Sequence, residues 1–207
     1  LSDNGEWNQL GSDIEGEAAN DACGWSVSLN AAGDRVAVGG YKNNEETGHV
    51  RIFEWNGSSW NQLGSDIDGE KLGDGEGYSV SLNADGNRVA IGAPFADVLP
   101  GNANCGRTRI FEWNGVNWVQ VGSNIFGGGN GDQSGRSVSL NAAGDIVAIG
   151  APLFGVSNNG ATQVFQWDGI NWVQLGSNIT GDTTNGFSGW SVSLNSLGNR
   201  VAIGARG

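Results

Sequence analysis

Four side chains in equivalent places carry the most suggestive chemistry in this sequence. Trp25, Tyr78, Arg136 and Trp190 each stand immediately before a Ser-Val-Ser-Leu run. Three aromatic faces and a guanidinium suit stacking on a sugar or clasping an acidic group. The same residues serve equally well as packing between strands. Acids form a second set. Asp13, Glu15, Glu17, Asp21, Glu45 and Glu46 crowd the first repeat, and Asp66, Asp68, Glu70, Asp74 and Glu76 the second. Ca²⁺ takes about six to eight oxygens from flexible carboxylate-bearing loops. Asp66, Asp68, Glu70, Asp74 and Glu76 are therefore the candidate calcium ligands, set against a plain solvated acidic rim. Nothing in the sequence requires a cofactor, and Ca²⁺ is the one candidate.

Catalytic chemistry has less to stand on. The single histidine, His49, has no metal-ligand companion at usable spacing along the chain. There is no nucleophile elbow and no phosphate loop. Carboxylates abound, but a two-acid glycosidase needs an apolar pocket that raises one pKa, and the acids lie in loops. The residues read as a non-enzyme with no catalytic set. Cys23 and Cys105 fall in loops on the same face of neighbouring repeats, which allows a disulfide and would fit secretion, with two thiols as the alternative. Asn56-Gly-Ser58 and Asn178-Ile-Thr180 are glycosylation sequons.

The elements that must position these residues repeat. Ser-Val-Ser-Leu-Asn begins at Ser26, Ser79, Ser137 and Ser191, so the steps are 53, 58 and 54 residues. Each run is followed by a glycine-containing turn and then by Val-Ala-Ile/Val-Gly. Arg/Gln-Ile/Val-Phe-Glu/Gln-Trp begins at Arg51, Arg109 and Gln163, and a further strand begins at Trp60, Trp118 and Trp172. Four antiparallel strands in about 54 residues predict one β-propeller blade. The fold class is all-β: a propeller of about four repeats over 1–207, roughly 24–64, 77–122, 135–176 and 189–207. A strand at 7–11 reads as the outer strand of another blade, and it is placed to complete the C-terminal blade. Either a tight four-bladed ring or part of a larger ring follows, and the chain reads as a mature product or a piece of something longer. The tryptophans are expected to fill the wide gaps between outer blade edges.

Thirty-seven glycines and a formal charge of −12 complete the picture. That charge disfavours nucleic acid, which needs a basic footprint. No apolar run approaches the length of a membrane helix. The loops before strand one and between strands two and three share one face, called here the upper face. They vary in sequence, as binding loops on a rigid frame do, whereas the lower turns are nearly identical.

The pattern Gly-x-Ser-Val-Ser-Leu-Asn, then Val-Ala-Ile-Gly-Ala-Pro, then Arg-Ile-Phe resembles FG-GAP repeats, the blades of integrin alpha-subunit heads. Gly92-Ala93-Pro94 and Gly150-Ala151-Pro152 reproduce part of the signature, while Gly39-Gly40-Tyr41 and Gly204-Ala205-Arg206 depart from it. The resemblance implies an extracellular or cell-surface propeller for adhesion or recognition, binding a protein or glycan through the upper face. A glycan-binding lectin and a structural repeat that pairs with copies of itself in an extracellular assembly are the alternatives. The family's calcium loop is not carried over, because Asn83-Ala84-Asp85-Gly86-Asn87 has one carboxylate.

Overall fold

A computed structural model describes residues 5–97 and 103–207. Three repeats form complete blades. The first contains β1 (Ser26–Leu29), β2 (Arg35–Gly40), β3 (His49–Trp55), β4 (Trp60–Gln62) and β5 (Ile67–Asp68). The second contains β6 (Ser79–Leu82), β7 (Arg88–Ala93), β8 (Arg107–Trp113), β9 (Trp118–Gln120) and β10 (Ile125–Phe126). The third contains β11 (Ser137–Leu140), β12 (Ile146–Ala151), β13 (Ala161–Trp167), β14 (Trp172–Gln174) and β15 (Ile179–Thr180). All pairings within a blade are antiparallel. The architecture is a β-propeller of about four repeats, the last represented by the hairpin β16 (Ser191–Leu194) and β17 (Val201–Gly204).

The outer strand of each blade is split, and both pieces pair with the third strand. The interruption follows from packing between blades. Gly64 lies against the next blade, where an added Cβ would stand only 2.7 Å from Trp113 Cζ3. Trp113 stacks in turn on Trp118 at 5.5 Å between ring centroids, as Trp55 does on Trp60 and Trp167 on Trp172. The indole N–H of Trp118 donates to the Leu63 carbonyl at 2.9 Å, and that of Trp172 to Val121 at 2.9 Å. Trp118→Phe keeps an aromatic ring and removes the donor. It should lower stability by about 1 kcal/mol, read as a shift in the urea midpoint followed by circular dichroism.

The inner strands show why serine alternates with apolar residues. Val80, Leu82, Val138 and Leu140 are buried between blades. The serines bond from one blade to the next: Ser26 Oγ donates to the Gly77 carbonyl at 2.7 Å, and the Leu82 N–H donates to Ser28 Oγ at 2.9 Å. The same two bonds recur from the second blade to the third and from the third to the last hairpin. The glycine of Gly-Ala-Pro is required by the same contact, since a Cβ at Gly92 would overlap the Gly135 carbonyl. The asparagine ending each run holds the lower turn. Asn83 Oδ1 accepts the backbone N–H groups of Asn87 and Arg88 at 3.0 and 2.9 Å.

The ring does not close as one reading of the sequence expects. Among the described residues the last hairpin pairs only with itself, and residues 7–11 form no strand. The Leu10 carbonyl instead accepts from Trp60 Nε1 at 2.9 Å, the place that Leu63 takes beside Trp118. The N-terminal segment therefore lies against the first blade. Val27 and Leu29 are left 64% and 59% exposed, where their counterparts in the next two blades are buried.

Candidate functional site at the upper face

Trp25, Tyr78, Arg136 and Trp190 each sit one residue before an innermost strand, where a backbone bond fixes the entry. The Tyr78 and Trp190 N–H groups donate to the carbonyls of Gly92 and Gly204, on the second strand of each hairpin, at 3.1 Å. Four equivalent positions around a curved array must converge, and they do. Trp25 and Tyr78 have ring centroids 5.4 Å apart. The Arg136 guanidinium lies 5.0 Å from the Tyr78 ring and 4.0 Å from the Trp190 ring.

Sequence reasoning missed three members of this group. Tyr41 packs on Trp25 and Tyr78 at 4.8 and 5.2 Å, and Phe95 meets Tyr78 edge-on at 5.6 Å. Arg206 stands 4.4 Å from the Trp190 ring. The departures Tyr41 and Arg206 from Gly-Ala-Pro were the available signal. Among the described residues neither Arg136 nor Arg206 pairs with a carboxylate, although four other arginines do. Two guanidinium groups thus meet at one indole in a chain of charge −12, and Arg136 Nη1 donates to Gln133 Oε1 at 3.1 Å.

The loop leading to Arg136 carries Asp132, 5% exposed. Burial pushes its carboxyl above the usual range, and backbone N–H bonds from Gly129 and Gly128 only partly oppose this. Its Oδ2 has no hydrogen-bond partner among the described residues. It lines a cavity of about 360 Å³ together with Phe154 and Val156. A carboxyl raised by burial beside open space is what general acid–base chemistry uses. The expectation that no carboxylate would sit in a pKa-raising pocket is thus corrected, because the fold, not the loop sequence, supplies the burial.

The five candidate calcium ligands are arranged differently from one another. Glu70, Asp74 and Glu76 gather on Arg107, at 2.5, 3.1 and 2.7 Å, and Glu76 also holds Arg109 Nε at 3.0 Å. The Asp68 carbonyl accepts from Arg109 Nη2. Burial disfavours the charged form of Arg107, but Glu76 and its other acids outweigh that and hold the pKa up. Asp74 goes the other way, raised by burial despite Arg107. Asp66 turns to His49 instead, with Oδ2 3.4 Å from Nδ1.

No disulfide joins Cys23 and Cys105. Cys105 Sγ, buried in the second blade, donates to the Ala96 carbonyl at 3.3 Å, while Cys23 Sγ lies 3.4 Å from Arg51 Nη2. Each thiol faces into its own blade, so of the two alternatives it is the pair of thiols that the structure contains. Asn56 is exposed, but its Oδ1 is engaged by the N–H groups of Ser58 and Ser59 at 2.9 Å. Asn178 Oδ1 accepts from Gln163 and Gln174 at 3.1 and 2.8 Å.

No protein-family model and no curated protein matches the chain. Solved structures do. A protein of Bacteroides fragilis named "putative 6-phosphogluconolactonase" is similar at 13% identity, with a TM-score of 0.54 over 86% of this chain and 40% of its own. A protein of Bacteroides uniformis with the same name gives 9% identity, a TM-score of 0.57, and 86% and 46% coverage. At such identity the likeness is one of fold, and it places the chain among the β-propellers. The chain spans less than half the length of either structure.

These findings correct the FG-GAP resemblance, since no family model matches and the similar structures bear lactonase names. The physical reason is visible in the blades. In this chain Ser-Val-Ser-Leu and Gly-Ala-Pro carry hydrogen bonds and close backbone approach between blades, so packing alone accounts for them. The non-enzymatic adhesion module, with its lectin and structural-repeat alternatives, rested on that resemblance and falls with it.

Proposed function

We propose that the chain is part of a propeller hydrolase that opens the ring of an anionic sugar-acid lactone at the upper face. The observation that carries this reading is the pair of arginines at Trp190, without carboxylate partners among the described residues of an acid-rich chain. The lactonase names of the similar folds support the substrate class, of which 6-phosphogluconolactone is the example to test. Arg136 and Arg206 would hold the anionic group, with the aromatic residues around them facing the sugar.

Asp132 is the proposed general base. It would take a proton from a water as that water adds to the lactone carbonyl, forming a tetrahedral oxyanion. Collapse breaks the bond to the ring oxygen, which receives the proton and leaves as a hydroxyl. One water is consumed and a hydroxy acid is formed. The pushed-up pKa suits a group that must accept the proton and then return it.

Acid release in a pH-stat tests the reading. The chain should hydrolyse 6-phosphogluconolactone faster than the spontaneous rate, and prefer it to the unphosphorylated lactone. Arg136→Ala should raise KM about tenfold, equal to about 1.4 kcal/mol, with kcat moving less. No rate above background, with the chain folded, refutes the proposal.

A further inference from the structure

The first blade contains an arrangement that its neighbours lack. His49 opens β3 and is 1% exposed, yet its Nδ1 is buried without a hydrogen-bond partner among the described residues. Two carboxylates face that nitrogen. Glu17 Oε2, from the loop before β1, lies 3.6 Å away, and Asp66 Oδ2, from the bend before β5, lies 3.4 Å away. One ligand atom from each of the three residues falls within 4.8 Å of the others, the only such group among the described residues. Folding supplies the companions that spacing along the chain did not show.

The distances discriminate between explanations. They exceed the roughly 2.7–3.2 Å of a good hydrogen bond to nitrogen. Four-coordinate zinc, with bonds of about 2.0–2.2 Å, holds its ligand atoms about 3.3–3.6 Å apart. Asp66 is already oriented as a ligand would be, since Gln62 Nε2 donates to Oδ1 at 2.6 Å and leaves Oδ2 toward His49. Such an outer partner is usual for a ligating carboxylate. Glu17 Oε2 receives only a long contact, 3.5 Å, from Asn43 Nδ2.

The repeats supply a comparison within one molecule. His49 pairs across to Gly40 of β2, whereas Arg107 pairs with Ala93 and Ala161 with Ala151. A Cβ at Gly40 would lie 2.8 Å from His49 Nε2. Glycine in place of alanine therefore makes room for the imidazole, and the two departures occur together. In the second blade Arg107 fills the same place and neutralises the acids directly. In the next two repeats the position of Asp66 is held by Asn124 and Asn178, each bonded to the corresponding glutamine.

We propose that Glu17, His49 and Asp66 bind one divalent transition-metal ion, Zn²⁺ fitting best, with a fourth position open to solvent beside the exposed Glu17. One imidazole nitrogen among two carboxylates favours such an ion over Ca²⁺ or Mg²⁺, which prefer all-oxygen sets. This site does not depend on the lactonase reading.

Calorimetric titration of ZnCl₂ into the chelator-treated full chain tests it. Binding of one ion per chain is expected, unaffected by millimolar Ca²⁺, with tetrahedral visible bands when Co²⁺ replaces Zn²⁺. His49→Arg installs the residue that the second blade carries, so the fold should survive, and Zn²⁺ binding should weaken more than about 30-fold. Asp66→Asn should weaken it similarly and keeps the proposal falsifiable should His49→Arg not fold. Equal Zn²⁺ binding by the folded variants overturns the proposal. So does a wild-type chain that binds no Zn²⁺ at about 100 µM, which would make His49 an ion-pair partner of the two acids only.

Discussion

Arg107→Met should lower the unfolding free energy at pH 7.5 by about 3–5 kcal/mol, the usual cost of leaving buried charge without its partner. For a chain of this length that is on the order of a 10 °C fall in Tm. Arg107 is 2% exposed, Glu76 0% and Asp74 3%. Methionine matches the stem but leaves Glu76 with Arg109 alone and Asp74 with only the more distant Lys71. The pH dependence separates charge from packing. Asp74 already has a folded pKa above its unfolded value, because burial outweighs Arg107. For such a group, stability is fully present below the unfolded pKa of about 4 and is lost as pH rises through the folded value. Removing Arg107 raises that folded pKa further. The deficit should therefore be large at pH 7.5 and shrink toward pH 5. Urea denaturation at the two pH values reads it directly, and a deficit independent of pH would identify lost packing instead. Adding Glu76→Gln should recover part of the loss, which a double-mutant cycle measures.

Asp132→Asn should lower kcat for lactone hydrolysis about 10²–10³-fold while making the chain more stable at neutral pH. Burial raises the Asp132 pKa, so its ionised form opposes folding. The wild type accordingly loses stability as pH rises from about 4 through the raised value. Asparagine keeps the shape and removes the titration, so the two melting curves should converge at low pH and separate at high pH. Activity lost together with gained stability is the mark of a group kept for chemistry. Activity unchanged in the more stable variant would remove Asp132 from the mechanism and leave the arginine site to be explained without it.

The blades were legible because their determinants are local and repeated. Ser-Val-Ser-Leu-Asn states an inner strand, its bonds to the next blade and its turn within five residues, and four copies remove ambiguity. The convergence of Trp25, Tyr78, Arg136 and Trp190 was also legible, since equivalent positions in a radial array must approach one another. The family was not. The residues that carried the resemblance are those that packing between blades uses, so their presence follows from geometry without need of a family.

The candidate sites depended on relations that no local pattern holds. His49 and Arg107 occupy the same structural place, yet one meets two carboxylates across an unsatisfied nitrogen and the other closes an ion network. Aligning the repeats exposes the substitution, together with Gly40 for alanine, but not which acids turn toward it. Asp74 and Asp132 each stand three residues before the glycine that opens a repeat. Burial raises both, but Arg107 sits beside Asp74, whereas only backbone N–H groups oppose the shift at Asp132. The sequence alone determined the repeat, the strand order, the acid-rich upper loops and the four residues that precede the innermost strands. Tertiary structure decided the pairing of charges and the burial that shifts a pKa, because desolvation and Coulomb energy depend on distances between segments far apart in the chain.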